Sequence, residues 1–312
     1  MSRSSAAPRF SPRFLGPRYW PTWLALGLVR LLCQLPLSWL IAAGERLGRA
    51  FGRIAHRRRH VVDTNLRLCF PELEEAQRNY LIDAHFAALG AGIFETAAAW
   101  FSPDRKFRAI GEVTGLEHLQ AARAGGHGVL LLTGHFTTLE IAARYLCLAG
   151  VRFHAMYRPL ENPLFDYWMH GWREQRSGLP ALPKDELRSL VRALRKGDAI
   201  WYGPDQTLEA PNAVFVPFFG VPTLSLTATS RLADMGRARV VPFFPQRIGR
   251  RYRIVIGPAL ENFPSGDDSA DARRVNALIE DAVRLCPEQY FWIHRRFKYQ
   301  PKGMPDVYAR SA

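Results

Sequence analysis

The sequence predicts an α/β fold: a central, mostly parallel sheet covered by helices, preceded by a hydrophobic N-terminal membrane helix. Three observations predict it. From about residue 107, short apolar runs alternate with helical stretches. Those runs are continuous rather than alternating, as strands buried on both faces are. Residues 20–43, "WPTWLALGLVRLLCQLPLSWLIAA", form an apolar stretch of bilayer length.

The N-terminal stretch comes first. Arg30, Gln34, Pro21 and Pro36 make it a poor spanning helix. Basic residues flank it on both sides, Arg9, Arg13 and Arg18 before it and Arg46, Arg49, Arg53 and "HRRRH" (56–60) after it, so the positive-inside rule assigns no orientation. The same features suit a helix in the bilayer interface, with Trp20, Trp23 and Trp39 near the headgroups. The apolar run is too long for a signal peptide and lacks a small-residue cleavage site. Residues 1–60 are therefore read as a membrane-associated helix with basic flanks, and 61–312 as one α/β domain. Within that domain, about 70–101 reads as helix, because Leu73, Tyr80, Leu81, Ala84, Leu89, Ile93, Phe94 and Trp100 keep helical spacing after Pro71.

Strands are expected at 129–133, 152–157, 199–203, 238–244 and 252–257. Helices are expected at 138–149, 163–176, 185–196, 225–235 and 268–285. In such sheets, ligands bind outside the carboxyl ends of the strands. Three of those ends deliver polar residues: Gly134-His135 after "VLLLT", Arg158-Pro159 after "RFHAMY", and Pro204-Asp205-Gln206 after "AIWYG".

Composition narrows the partners. The net charge is +14, and lysine occurs only at 106, 184, 196, 298 and 302, so arginine carries nearly all the positive charge. An anionic partner is implied, and arginine's planar fork suits phosphate. Nucleic acid is disfavoured, because the aromatics do not interleave with arginines in a recognition pattern. Four scattered cysteines offer neither a disulfide framework nor a zinc site, and no metal or cofactor is expected.

The chemistry concentrates in "GHFTTLE" (134–140). On one helix, His135 and Glu140 would point about 140° apart. If the chain bends after His135, Glu140 in the first helical turn can accept from one ring nitrogen and leave the other as a general base. The competing reading makes Thr137-x-x-Glu140 a capping box. No Gly-x-Ser-x-Gly elbow is present and no cysteine lies near, so a substrate hydroxyl would be the nucleophile. Arg158 is a candidate for phosphate or oxyanion binding, or for a salt bridge to Asp205. Asp205 either orients Arg158 or a second basic group, or makes an Asx turn. "WIHRRFK" (292–298) suits docking on a membrane or an acidic protein, or else a terminal element with solvated charges, and the phenylalanines of "VPFFG" and "VPFF" are core or acyl-pocket lining.

"GHFTTLE" resembles the His-x4-Asp/Glu signature of glycerolipid-type acyltransferases. With "PRYWPTWL", "NLRLCFPE", "YRPLENP", "WYGPDQ", "VFVPFFG" and "PEQYFWIHRRFK" in that order, the chain resembles the late acyltransferases of lipid A biosynthesis, nearest their lauroyl-transferring members. The resemblance spans about residues 16–300. It implies a glycerolipid-acyltransferase-like fold and transfer of a fatty acyl chain from acyl carrier protein to a β-hydroxyacyl hydroxyl on a Kdo-bearing, phosphorylated glycolipid. It places that reaction at the cytoplasmic face of the bacterial inner membrane. His135 matches the family's base, Glu140 its orienting carboxylate, Arg158 the arginine of the "YRP" block and Asp205 the aspartate of "PDQ". An acyl-CoA-dependent glycerophosphate enzyme and a noncatalytic lipid-A-binding protein are the alternatives.

Overall fold

The computed structural model describes residues 9–210 and 212–309; the first eight residues of the expected N-terminal segment and the last three of the expected α/β domain lie outside them. In chain order the helices are α1 (Trp20–Leu32), α2 (Leu37–Ile54), α3 (His56–Cys69), α4 (Glu75–Phe101), α5 (Arg105–Arg108), α6 (Leu116–Arg123), α7 (Leu139–Leu148), α8 (Pro163–Ser177), α9 (Leu187–Arg195), α10 (Ala228–Gly236) and α11 (Asp268–Leu285). The strands are β1 (Gly111–Thr114), β2 (Val129–Leu132), β3 (His154–Tyr157), β4 (Leu182–Pro183), β5 (Ala199–Tyr202), β6 (Ala213–Phe218), β7 (Val221–Leu226), β8 (Arg239–Ile248) and β9 (Arg251–Ile256).

Seven strands form one sheet in the order β1-β9-β8-β2-β5-β3-β4, parallel throughout except for the β8–β9 pair. The expected mostly parallel sheet is present. The central strands β2 and β5 are buried at every position, which is why "VLLL" and "AIWY" read as unbroken apolar runs. Their side chains alternate between two cores. Leu130, Leu132, Ile200 and Tyr202 face one core, built with α3, α9, α10 and α11. Val129, Leu131, Ala199 and Trp201 face the other, built with α6 and α7. The long helix α4 feeds both cores, with Phe86 in the first and Ala91 in the second.

The expected strands shift by a residue or a few at their ends, and three features escaped the apolar-run test. β1 and β4 are short edge strands of half-exposed residues. The "VFVPFFG" block is the hairpin β6–β7, turned at Phe219 (φ 52°) and Gly220 (φ 76°). Two successive positive φ values suit a tight hairpin turn, and its prolines, paired across a two-stranded ribbon, block no sheet interior. Phe218 of this hairpin and Phe243 of β8 are fully buried core residues.

The N-terminal expectation is corrected. Residues 20–43 are not one helix, and among the described residues no helix is long and apolar enough to cross a membrane. The chain breaks between α1 and α2, where Pro36 supplies no N–H. Lys106 Nζ holds the break by donating to the carbonyls of Cys33, Gln34 and Leu35 at 2.8, 3.1 and 2.9 Å. α2 then packs on α4 at backbone distance: a Cβ on Gly90 would lie 2.0 Å from the Gly44 carbonyl oxygen. α1 buries none of its own residues and leaves Trp20, Leu24, Leu28 and Leu31 exposed at helical spacing.

Candidate active site

β2 and β5 are neighbours, and Leu132 pairs in register with Tyr202. His135 and Asp205 each lie three residues beyond that pair. The two loops therefore leave the same sheet edge side by side, and the side chains meet. Asp205 Oδ1 lies 2.5 Å from His135 Nδ1, and Oδ2 accepts from the His135 backbone N–H at 2.7 Å. A carboxylate on Nδ1 fixes the proton there and leaves the Nε2 lone pair free. Gly203 makes room for the ring, since a Cβ at that position would sit 3.1 Å from His135 Cε1.

The C-terminal segment braces the His135 loop from outside. Thr137 donates its N–H to the Gln289 carbonyl at 2.8 Å, and Phe291 donates to the His135 carbonyl at 3.0 Å. Residues 289–291 thus lie along the loop like a short added strand, with a bridge between Phe136 and Tyr290. His294 Nε2 accepts from the Thr207 N–H at 3.2 Å.

Burial divides the pair. The His135 side chain is 32% exposed and that of Asp205 is 2% exposed, so the ring edge is open while its partner is enclosed. Burial disfavours the imidazolium, but the charge and hydrogen bond of Asp205 outweigh it, and the His135 pKa rises above its ordinary value. Asp205 is raised by burial and lowered more by His135, so its carboxyl titrates well below the usual range. Asp205 is therefore ionised near neutrality, and the neutral form of His135 carries its free lone pair on Nε2.

Glu140 stands elsewhere. The expected hydrogen bond from His135 to Glu140 is replaced by the one to Asp205. Glu140 is the second residue of α7 and faces α4 and α8, where Oε2 accepts from Trp100 Nε1 at 2.9 Å and Oε1 pairs with the Arg173 guanidinium. The expected capping box is also absent. The helix is capped from Thr138 without a side-chain hydrogen bond, and Thr137 Oγ1 has no partner among the described residues. Arg158 lies exposed after β3, on the far side of β5 from β2, and makes no ion pair with Asp205 among the described residues. "WIHRRFK" is no solvated tail: Trp292 and Phe297 are fully buried and Arg296 is 2% exposed, while Arg295 is exposed and paired with Asp306.

An apolar cleft opens beside Glu140. Ala143 and Cys147 line it along α7, Phe153 and Trp201 lie toward the sheet, and Trp100 and Trp172, stacked on each other at 5.1 Å, form part of its wall. Its polar groups are few, chiefly Glu140, Arg173 and Arg176. That shape and chemistry fit a hydrocarbon chain. The phenylalanines of "VPFFG" and "VPFF" do not line it. Among the described residues, no group of three His, Cys, Asp or Glu side chains is arranged to hold a metal ion.

A family model described as "Bacterial lipid A biosynthesis acyltransferase" matches residues 7–299. The chain is 39% identical over 304 residues to the Escherichia coli (strain K12) lipid A biosynthesis lauroyltransferase, covering 96% of this chain and 99% of that one. It is 36% identical over 303 residues to the palmitoleoyltransferase of the same strain, covering 96% and 98%. It is 31% identical over 312 residues to that strain's lipid A biosynthesis myristoyltransferase, covering 99% and 97%. The chain therefore belongs to the bacterial lipid A biosynthesis acyltransferases, and it is an enzyme of acyl transfer.

Proposed function

We propose that this enzyme transfers a fatty acyl chain, lauroyl or of similar length, from acyl carrier protein to the hydroxyl of a β-hydroxyacyl chain on a Kdo-bearing lipid A precursor. The carrying observation is the His135–Asp205 pair with a free, partly exposed Nε2. Nε2 accepts the proton of the acceptor hydroxyl as its oxygen attacks the thioester carbonyl. The tetrahedral adduct collapses, the C–S bond breaks, and the imidazolium returns the proton to the leaving thiolate. No side chain is acylated. Asp205 holds the tautomer and balances the imidazolium charge. The positive end of α7, which starts four residues after His135, favours the developing oxyanion.

The cleft beside Glu140 takes a hydrocarbon chain, and Glu140 and Arg173 form its polar mouth. Arg158, exposed at the same sheet edge, is available to the acceptor's phosphate. The relatives' names, which specify lauroyl, palmitoleoyl and myristoyl transfer, support the chain-length range. The exposed stripe on α1, continued by Trp39, Leu47, Phe51 and Ile54 of α2, supports a catalytic domain of residues 61–312 held on the cytoplasmic face of the inner membrane. Arginines 46, 49, 53 and 57–59 on α2 and α3 suit acidic headgroups, and the basic surface suits an acidic carrier protein.

The test incubates purified protein with acyl carrier proteins of differing chain length, or with acyl-CoA, and a lipid A precursor, and weighs the product. We expect one added acyl group from the carrier protein, lost in a His135→Ala variant that stays folded and membrane-bound. Unchanged turnover of His135→Ala, or a covalent acyl-enzyme found by mass spectrometry, defeats the mechanism. A clear preference for acyl-CoA defeats the donor assignment.

A further inference from the structure

Behind the His135–Asp205 pair lies a guanidinium to which the reaction above gives no task. Arg296 is 2% exposed, a rare state for an arginine without a carboxylate partner. Its described partners are neutral: Nη1 donates to Thr207 Oγ1 and Nη2 to Asn276 Oδ1, each at 3.1 Å. Nε has no partner among the described residues, and the group lies 4.9 Å over the Phe218 ring. The neighbours are themselves fixed. Asn276 Nδ2 donates to the Pro217 carbonyl at 2.9 Å and to Ser225 Oγ at 3.1 Å, and Thr207 Oγ1 donates to the Arg296 carbonyl at 2.6 Å. Arg296, Asp205 and His135 line one small cavity.

A buried cation with no direct anion is costly, so its placement calls for a reason. Asp205 supplies one. When His135 is neutral, as a base must be, Asp205 would be an uncompensated buried carboxylate. Arg296 shares its cavity, and it is held two residues along the same loop, at Thr207. Its charge favours ionised Asp205 and opposes protonation of His135.

We propose that Arg296 is a positioning residue for the His135–Asp205 pair: it pins the Asp205–Thr207 loop and supplies the standing positive charge that keeps Asp205 ionised while His135 stays neutral. This rests on the reading of His135 as the base. The other titratable groups facing the pair do not supply that charge. His294 is held at about 4 by burial first and then by Arg296, so it is neutral. Tyr202, pushed up to about 12 by burial, and Tyr290 stay protonated. Lys298 interacts with His294, Arg296 with Glu280, Cys69 and Tyr308, and Arg284 with Glu280 and Cys69.

The test is the pH dependence of kcat/KM for acyl transfer by full-length protein, wild type against Arg296→Gln, Arg296→Lys and Asn276→Asp. Removing the charge raises the His135 pKa, so in Arg296→Gln the acid limb moves up by about one pH unit. Arg296→Lys keeps the charge and the limb, and loses about tenfold in rate or less with the lost fork. Asn276→Asp sets a carboxylate against the guanidinium and moves the limb in the same direction as Arg296→Gln. Equal losses in the Gln and Lys variants with an unmoved limb would overturn the assignment. If Arg296→Gln fails to fold, an unmoved limb in Asn276→Asp overturns it instead. An active His135→Ala would defeat the base reading itself. An inactive one beside unmoved limbs defeats only the role of Arg296.

Discussion

Asp205 grips His135 twice, at the ring nitrogen Nδ1 (2.5 Å) and at the backbone N–H (2.7 Å). One carboxylate thus fixes the tautomer, the ring plane and the bend of the loop that carries the ring. Asp205→Asn keeps the shape and removes the charge. We expect kcat to fall by about 10²–10⁴-fold. The sign of the pH effect follows from the pair. Asp205 raises the His135 pKa, and the base acts only when neutral, so activity in the wild type rises with pH through a value above that of ordinary histidine. In Asp205→Asn the acid limb moves to lower pH. A pH–rate profile that keeps the wild-type limb would rule out Asp205 as the partner.

Glu140 and Arg173 are expected to act as a unit. Both are mostly buried, at 11% and 22% side-chain exposure, and Trp100 completes the carboxylate's coordination. Glu140→Ala and Arg173→Ala should each lower stability and acyl transfer, and the double variant should lose less than the sum. The coupling expected from thermal melts is about 1–2 kcal/mol. Additive losses, or a shifted acid limb in Glu140→Ala alone, would return Glu140 to the imidazole.

The cleft makes a prediction about chain length. Ala143 lies on its wall, one turn beyond Glu140 on α7. Ala143→Phe should shorten the preferred acyl donor by several carbons while leaving the His135 acid limb in place. The check is a donor panel of acyl carrier proteins read by product mass, and an unchanged preference would place the acyl chain elsewhere.

The α2–α4 contact makes a prediction about stability. A methyl on Gly90 meets the Gly44 carbonyl oxygen and the Gly48 backbone, none of which has a side chain to move aside. Gly90→Ala should cost about 1–3 kcal/mol, seen as a lower Tm, and loosen the N-terminal helices from the body. Gly27→Ala on α1, where nothing lies within 4 Å, should be neutral and serves as the control.

Much of this enzyme was legible in the chain alone. Continuous apolar runs mark strands buried on both faces, and "VLLL", "AIWY" and "RVVPFF" are such strands. The caps were not: Asn162 accepts from the Leu164 and Phe165 N–H groups at the start of α8, while the capping box expected at Thr137 does not form. Edge strands such as β1 carry half-exposed residues and leave no such mark, and the N-terminal apolar stretch hid a break that Pro36 and Lys106 together enforce.

By itself the sequence determined the family, the strand–helix alternation and the placement of His135, Arg158 and Asp205 at strand ends. It did not determine which of those ends are neighbours. Five residues of separation made Glu140 the natural partner for His135, whereas Asp205 is seventy residues away. Sheet order decided otherwise. β5 lies directly beside β2 in parallel register, so equal steps past Leu132 and Tyr202 bring His135 and Asp205 together. Glu140 meanwhile turns with α7 toward Arg173. Local spacing governs what a single helix can bring together. Pairing between strands depends on cores that only the folded chain assembles, and Arg296, whose sequence context reads as a surface basic run, is buried for the same reason.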